Sequence, residues 1–249
     1  MTFSIVIAAY NASSTIRAAL QSCLSQTLSA CEIIVVDDAS TDNTAQTVKD
    51  FSPLVKLISL AKNKGVSAAR NAGWEAATGD YMAFLDSDDS WHPEKLFWIN
   101  ACLQKNESPN LISHSFSNKS VDAEKTKPSS ATTEISFSQL LLRNQIQGSC
   151  MIVKRTISQR FDEHMRYCED YDLALRCAYD KPIVFLQSAL SFLSRPQQSE
   201  GGLSANKWAM RKGELYLFSK LGKLNPLLLL CIPILWMYSL AKHLFQKLQ

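Results

Sequence analysis

The stretch YMAFLDSDDSW, residues 81–91, runs from an apolar segment of strand length, Tyr81–Leu85, straight into Asp86, Asp88 and Asp89, with only Ser87 between them. An unbroken apolar run reads as a strand buried on both faces, the kind found in parallel sheets covered by helices. Clustered like charges at the end of such a strand are costly unless something positive meets them. The residues alone allow two readings. One is a hard divalent cation, Mn2+ or Mg2+, held by one or two carboxylates together with substrate phosphates. The other is a solvated loop whose aspartates cap a helix starting near His92-Pro93.

The residues upstream repeat the strand signal and alternate it with helical ones. Phe3–Ala9, Glu32–Asp37 and Val55–Leu60 are further apolar runs. Ser13 or Ser14 opens a helix to about Thr27, with Ile16, Leu20 and Leu24 on one face, and Ser40-Thr41-Asp42 caps a helix reaching about Phe51. After the turn Asn63-Lys64-Gly65, the Ala-rich segment Val66–Ala77 is helical and Gly79 stops it. Pro93 stands at the start of a helix to about Leu103. This alternation predicts an α/β fold with a mostly parallel central sheet flanked by helices. Such sheets bind ligands at the carboxyl ends of their strands. Three strands end in Ala9-Tyr10-Asn11, Asp37-Asp38 and Asp86-Ser87-Asp88, so a site is expected along one sheet edge.

The chain has 249 residues, 46% hydrophobic and 20% charged, which suits one large globular domain with a small appendage. A net charge of +3, with no basic-aromatic stripe in the first half, gives no support to nucleic-acid binding. The seven cysteines contain no Cys-x-x-Cys pair and read as reduced, buried thiols of a cytoplasmic protein, and the four histidines lack metal-ligand spacing. Residues 118–134 read as a long polar loop. A less regular half follows, with helices around Ser138–Arg143 and Asp170–Tyr179. From Asn206 onward there are seven Lys or Arg and one acid, Glu214. Within that tail, Pro226–Ala241 is nearly all apolar, is interrupted by Pro233, and falls short of the roughly 20 residues a spanning helix needs. It is expected to be an interfacial or re-entrant membrane segment, with Trp236 and Tyr238 at headgroup depth. A buried core helix or a partner-binding helix is the alternative.

Four blocks, SIVIAAYNA (4–12), EIIVVDDASTDNT (32–44), NKGVSAARNAG (63–73) and GDYMAFLDSDDSWHPEKL (79–96), occur in an order and at a spacing that resembles family 2 glycosyltransferases, which have the GT-A fold. GSCMIVKR (148–155), FDEHMRYCEDYDLALR (161–176) and LSRPQQSEGGLS (193–204) are similar to the later blocks of that family. The resemblance implies a nucleotide-sugar-binding half in residues 1–104, an acceptor-binding half in 105–205 and a basic, apolar tail in 206–249. It places Ala9 and Tyr10 in the nucleotide pocket, Asp38 on the uracil N3–H, and Arg70 near the nucleotide and diphosphate. Asp86 and Asp88 match the family's Asp-x-Asp. The resemblance assigns Asp88 to direct metal contact and Asp86 to the metal or the ribose, with Asp89 orienting the loop. It makes Asp170 the catalytic base, with Glu169 binding the acceptor or orienting Asp170. Arg195 falls in a loop that closes over the diphosphate, although Ser194 stands where the family often has an aromatic. Gly148 and Ser149 line the donor sugar or the acceptor, and Trp91 either stacks on a sugar or belongs to the core.

The resemblance therefore implies an inverting, metal-dependent transferase using a nucleotide sugar, with UDP as the expected nucleotide. With the tail, it implies a polyprenyl-diphosphate-linked acceptor in surface polysaccharide assembly and a peripheral location on the cytoplasmic face of the inner membrane. Two rivals stay in view. A nucleotidyltransferase would want a glycine-rich phosphate loop after the first strand, and AYNASST has no glycine. A non-catalytic nucleotide-sugar-binding scaffold would be expected to lose the Asp-x-Asp or the base, and both are present.

Overall fold

The computed structural model describes residues 1–105, 108–118, 128–194 and 206–247. Its strands are β1 (Phe3–Ala9), β2 (Glu32–Asp37), β3 (Lys56–Ser59), β4 (Tyr81–Asp86), β5 (Ser90–Trp91), β6 (Leu111–Ser117), β7 (Thr132–Ile135), β8 (Ile152–Lys154) and β9 (Ile183–Phe192). They form one sheet in the order β3-β2-β1-β4-β8-β6-β9-β5, with β7 also on β9. The first four strands are mutually parallel, as the alternation predicts. Strand β8 is antiparallel to both β4 and β6, and β6 is parallel to β9. In register, Ala8 of β1 lies opposite Asp86 of β4, and Ala9 lies opposite Asp37 of β2. The three polar strand ends therefore share one edge.

The helices are α1 (Ile16–Leu24), α2 (Thr44–Lys49), α3 (Val66–Ala76), α4 (Lys95–Lys105), α5 (Phe137–Leu142), α6 (Glu169–Asp180), α7 (Lys207–Ser219) and α8 (Ile232–Lys247). Side-chain alternation along the strands divides the core into two layers. Val6, Ile34, Val36, Met82 and Phe84 share one cluster with Trp74 of α3 and Leu173 of α6. Ile5, Ile7, Val35, Ala83 and Leu85 share the other with Leu20 of α1 and Ile99 of α4. Asp86 has the parity of Met82 and Phe84, so it emerges on the α3 and α6 side.

Helix α3 lies hard against the sheet because residue 73 is glycine. A Cβ there would collide with Cγ1 of Val6. This close approach, one turn beyond Arg70, sets how deep the Arg70 guanidinium sits.

The C-terminal segment is partly core. Leu217 and Phe218 of α7 and Leu235 of α8 belong to the cluster that contains α6. Gly213 permits α7 to approach the Tyr167 carbonyl, which would stand 2.7 Å from a Cβ at that position. Lys220 ties α7 to Asp162 at 2.6 Å and to Asp172 of α6 at 2.7 Å. Ser239 of α8 donates to Glu214 of α7 at 2.8 Å. Residues 226–231 form a 3-10 turn, and Pro233 sits in the first turn of α8, where it breaks no helical hydrogen bond. The other face of this segment is apolar and exposed, with Leu230 and Met237 more than 70% accessible. Among the described residues, no helix is long and apolar enough to cross a membrane.

The tight α3 contact gives a stability test. Gly73→Ala should destabilise the fold by about 1–3 kcal/mol through overpacking, read as a lower urea midpoint. A midpoint equal to wild type would mean that α3 is free to shift.

Candidate active site

At the β1 and β2 ends, Tyr10 is half exposed, while Ala9 and Asp38 are buried. The Ala9 carbonyl accepts the Asp38 N–H at 2.8 Å. Both carboxylate oxygens of Asp38 accept backbone N–H groups from the turn before α3, Lys64 and Gly65, each at 2.7 Å. Asp38 thus anchors that turn. Each of its oxygens still has a second lone pair for an imide donor such as uracil N3–H. Asn11 and Ala39, next to Tyr10 and Asp38, hold left-handed backbone at φ 48° and 59°. That conformation is costly for residues with a Cβ and tends to mark functional edges.

The centre of the site is Arg70, only 3% exposed. Its two terminal nitrogens fork onto different carboxylates, Asp86 Oδ1 at 2.6 Å and Glu169 Oε1 at 2.8 Å. Its guanidinium stands 5.2 Å over the Phe161 ring. Phe161 is held by Asn71, the neighbour of Arg70, whose side-chain amide bonds both the N–H and the carbonyl of Phe161. Burial works against the guanidinium charge, but Asp86 and Glu169 outweigh it and keep Arg70 firmly protonated. Gly148, in the 3-10 turn Gly148–Cys150, leaves room for this ion pair. A Cβ there would lie 2.7 Å from a terminal nitrogen of Arg70 and 3.4 Å from Asp86 Oδ2.

Ser149 is fully buried, so it does not line a sugar as the resemblance implied; it braces the turn after β4 instead. Its hydroxyl donates to Asp89 Oδ2 at 2.6 Å and accepts the Asp86 N–H at 3.1 Å. The other oxygen of Asp89 accepts the Ser194 N–H at 3.1 Å. Burial, then the Asp86 charge, pushes the Asp89 carboxyl up to about 7. Asp86 and Asp88 are half-buried at the surface of the turn. Of the two expectations for Trp91, the structure gives the core residue: it is 1% exposed and its indole N–H donates to the Ser149 carbonyl at 3.1 Å. It has no ring face open for a sugar, so the sugar-stacking role is withdrawn. Arg195 and the segment through Ser204 lie outside the described residues.

Asp86, with Oδ1 on Arg70 and Oδ2 beside Gly148, and Asp88, half-buried in the same turn, are hard oxygen groups of the kind that suits a divalent cation whose remaining ligands come from a diphosphate and water. Among the described residues there is no cluster of three or more His, Cys, Asp or Glu able to hold a metal without such help.

Helix α6 begins beside Arg70. Its N-cap, Cys168, is left-handed at φ 61°, and Glu169, Asp170 and Asp172 fill its first turn. Anionic side chains are favoured there by the helix dipole. Asp170 accepts its neighbour's N–H, from Tyr171, at 2.7 Å. Burial, then the adjacent Glu169 charge, pushes the Asp170 carboxyl up to about 7, against the pull of Arg70. A carboxylate tuned near neutrality is suited to general-base work.

Sequence reasoning missed Lys95, which is fully buried beneath the turn. The signal was available: a lysine four residues before Ile99 and next to Leu96 falls on the apolar stripe of α4, where a charge needs an interior partner.

The raised Asp170 carboxyl has a stability consequence. The folded state keeps a proton that the unfolded chain releases near pH 4, so this group's contribution is fully present below about pH 4 and is lost as pH rises through about 7. Asp170→Asn should therefore be more stable than wild type at pH 8, by about 1 kcal/mol or more, and similar to it at pH 4. Equal stability at pH 8 would mean that the carboxylate is comfortably solvated.

The family model for glycosyl transferase family 2 matches residues 4–162. An Escherichia coli relative, UDP-Glc:alpha-D-GlcNAc-diphosphoundecaprenol beta-1,3-glucosyltransferase WfgD, is 32% identical over 208 residues, 82% of this chain and 80% of its own. A second Escherichia coli protein of the same description, WfaP, is 36% identical over 176 residues, covering 69% of this chain and 68% of its own. The S. aureus TarS 1-349 structure in complex with UDP-GlcNAc superposes with a TM-score of 0.72 at 21% identity, over 89% of this chain and 67% of that one. This chain spans 40% of a longer TarS chain. The mannosyltransferase PcManGT from Pyrobaculum calidifontis, in complex with GDP-Man and Mn2+, gives 0.69 at 18% identity, over 96% and 73% of the two chains. At those identities the structures report fold alone, and that fold is GT-A. The family match spans more than half of the sequence, and with the two relatives it makes this chain a member of glycosyl transferase family 2.

Proposed function

We propose that this glycosyltransferase moves a sugar, with inversion, from a UDP-linked donor to a hydroxyl of a polyprenyl-diphosphate-linked saccharide. The observation that carries the reading is the Arg70 fork, which joins the end of β4 to the start of α6. Donor and acceptor chemistry then meet within one buried ion-pair network. The names of WfgD and WfaP support the same donor and acceptor classes. UDP-glucose carries its sugar in the α configuration, so the β linkage in those names corresponds to inversion.

In this mechanism Tyr10 and Asp38 receive the uridine, with the Asp38 carboxylate accepting the uracil N3–H. Asp86 and Asp88 would hold Mn2+ or Mg2+, which supplies charge neutralisation at the leaving diphosphate without a proton. Arg70 stays paired to Asp86 and Glu169, fixing the metal-side carboxylate relative to α6. Asp170 accepts the proton of the acceptor hydroxyl as its oxygen attacks the anomeric carbon opposite the leaving group. Glu169, held by Arg70, keeps Asp170 raised and aimed. The anomeric centre passes through an oxocarbenium-like state, as in glycoside hydrolysis.

The tail fits an acceptor embedded in lipid. Leu235 and Ser239 are buried on one face of α8, while Leu230, Ile234 and Met237 are more than two-thirds exposed on the other side of this segment. An apolar outward face in a basic segment is the arrangement of a helix lying in a membrane interface. Peripheral attachment at the cytoplasmic leaflet, where polyprenyl-linked intermediates are extended, follows from that reading.

The transfer is tested with UDP-glucose and a synthetic GlcNAc-diphosphate lipid, reading the new anomeric proton by NMR. A β-linked product from wild type and a loss of at least about 10³-fold in Asp170→Asn are expected. An α-linked product, or full activity in the variant, contradicts the mechanism. The tail is tested with the triple variant Leu230→Gln, Ile234→Gln, Met237→Gln, whose exposed positions spare the core. It should no longer sediment with anionic vesicles. Undiminished sedimentation removes α8 as the anchor.

A further inference from the structure

Lys95 is the buried cation that the proposed mechanism does not use. Its ammonium donates to the Ser149 carbonyl at 2.8 Å and to the Ser191 hydroxyl at 3.3 Å, and it stands 3.6 Å from the centre of the Trp91 ring. The Ser149 carbonyl collects two more donors, Trp91 Nε1 at 3.1 Å and the Ser191 hydroxyl at 2.8 Å. Three donors converging on one carbonyl fix the Ser149 peptide from below. The Ser149 hydroxyl, on the same residue, grips the turn above through the Asp86 N–H and the Asp89 carboxylate.

We propose that Lys95 is a positioning residue for the donor diphosphate and its metal, acting through Ser149 on the Asp86–Asp89 turn. The inference rests on the reading of that turn as the donor end of the site. A buried ammonium is a poor way to stabilise a fold, because desolvating it is costly and an apolar side chain of similar length would pack on Trp91 without that cost. Burial pushes Lys95 down to about 7, with Cys150, Cys23 and then Asp89 only partly offsetting it. What Lys95 provides is hydrogen-bond direction at the Ser149 carbonyl, with the Asp89 carboxyl the nearest acidic group to its ammonium. Arg70 secures the turn from the α3 side, and Lys95 secures it from the α4 side.

The test uses the full chain, with UDP and Mn2+ as probes, because UDP lacks the transferred sugar and so reports on the nucleotide and diphosphate end alone. Lys95→Met should fold with a melting temperature at or above wild type, yet bind UDP with Mn2+ about tenfold or more weakly in calorimetry, the size of a lost charge-assisted contact. Ser149→Ala keeps the carbonyl and Lys95 but deletes the hydroxyl that bridges Asp86 and Asp89. It should show a comparable loss, and the double variant should be no worse than the weaker single one. A folded Lys95→Met with wild-type affinity overturns the proposal. If Lys95→Met does not fold, wild-type affinity in Ser149→Ala overturns it instead. Absence of UDP binding by the wild-type chain overturns the donor reading, and this role with it.

Discussion

The interaction on which the rest depends is the two-pronged grip of Arg70 on Asp86 and Glu169. Carboxylates gather at this sheet edge from two places distant in sequence, the end of β4 and the first turn of α6. Each group would be costly there alone. A single buried guanidinium answers both, and its planar fork is the reason arginine rather than lysine suits the position. Gly73 brings α3 close enough to deliver it, Gly148 leaves it space, and Asn71 holds the Phe161 ring beneath it. The positive partner required by the Asp cluster is thus partly built into the fold, and in the proposed function a donor-borne cation supplies the rest.

This arrangement sets stability against function. Asp170 beside Glu169, and Asp89 beside Asp86, are raised toward neutrality by burial and by like charge. Lys95 is lowered by burial from the opposite direction. A sequence chosen for stability alone would neutralise these positions. In the proposed function, keeping these groups around Arg70 and Ser149 preorganises the site for loss of a hydroxyl proton and departure of a diphosphate.

Much of the first half was legible in the sequence because its signals are local. The strands through Leu85 are continuous apolar runs, α1 carries a helical stripe, α3 is Ala-rich and Pro93 marks the start of α4, so the parallel sheet and the shared edge at Ala9, Asp37 and Asp86 followed. The second half was harder to read. β5 and β8 are two and three residues long, and β7 is placed by pairing with β9. Such strands owe their existence to distant partners, which periodicity cannot reveal. The site shows the same division. Asp38, Arg70, Asp86 and Glu169 were singled out from their blocks. That Asp38 already bonds two backbone N–H groups, that Trp91 is wholly interior, and that Lys95 lies under the turn all depend on tertiary contacts. The tail was read as a single apolar stretch, whereas the fold uses one of its faces for the core around Leu235 and leaves the other outward.

The central claim is that the sheet-edge carboxylates are divided, with Arg70 holding the inner side and a donor-borne cation completing the outer side. Calorimetric titration of UDP into the wild-type chain, with and without Mn2+, tests it most directly. Saturable binding that requires Mn2+ is the predicted result. Binding of equal strength in chelator would contradict it, because Arg70 and the backbone alone would then suffice to hold the diphosphate.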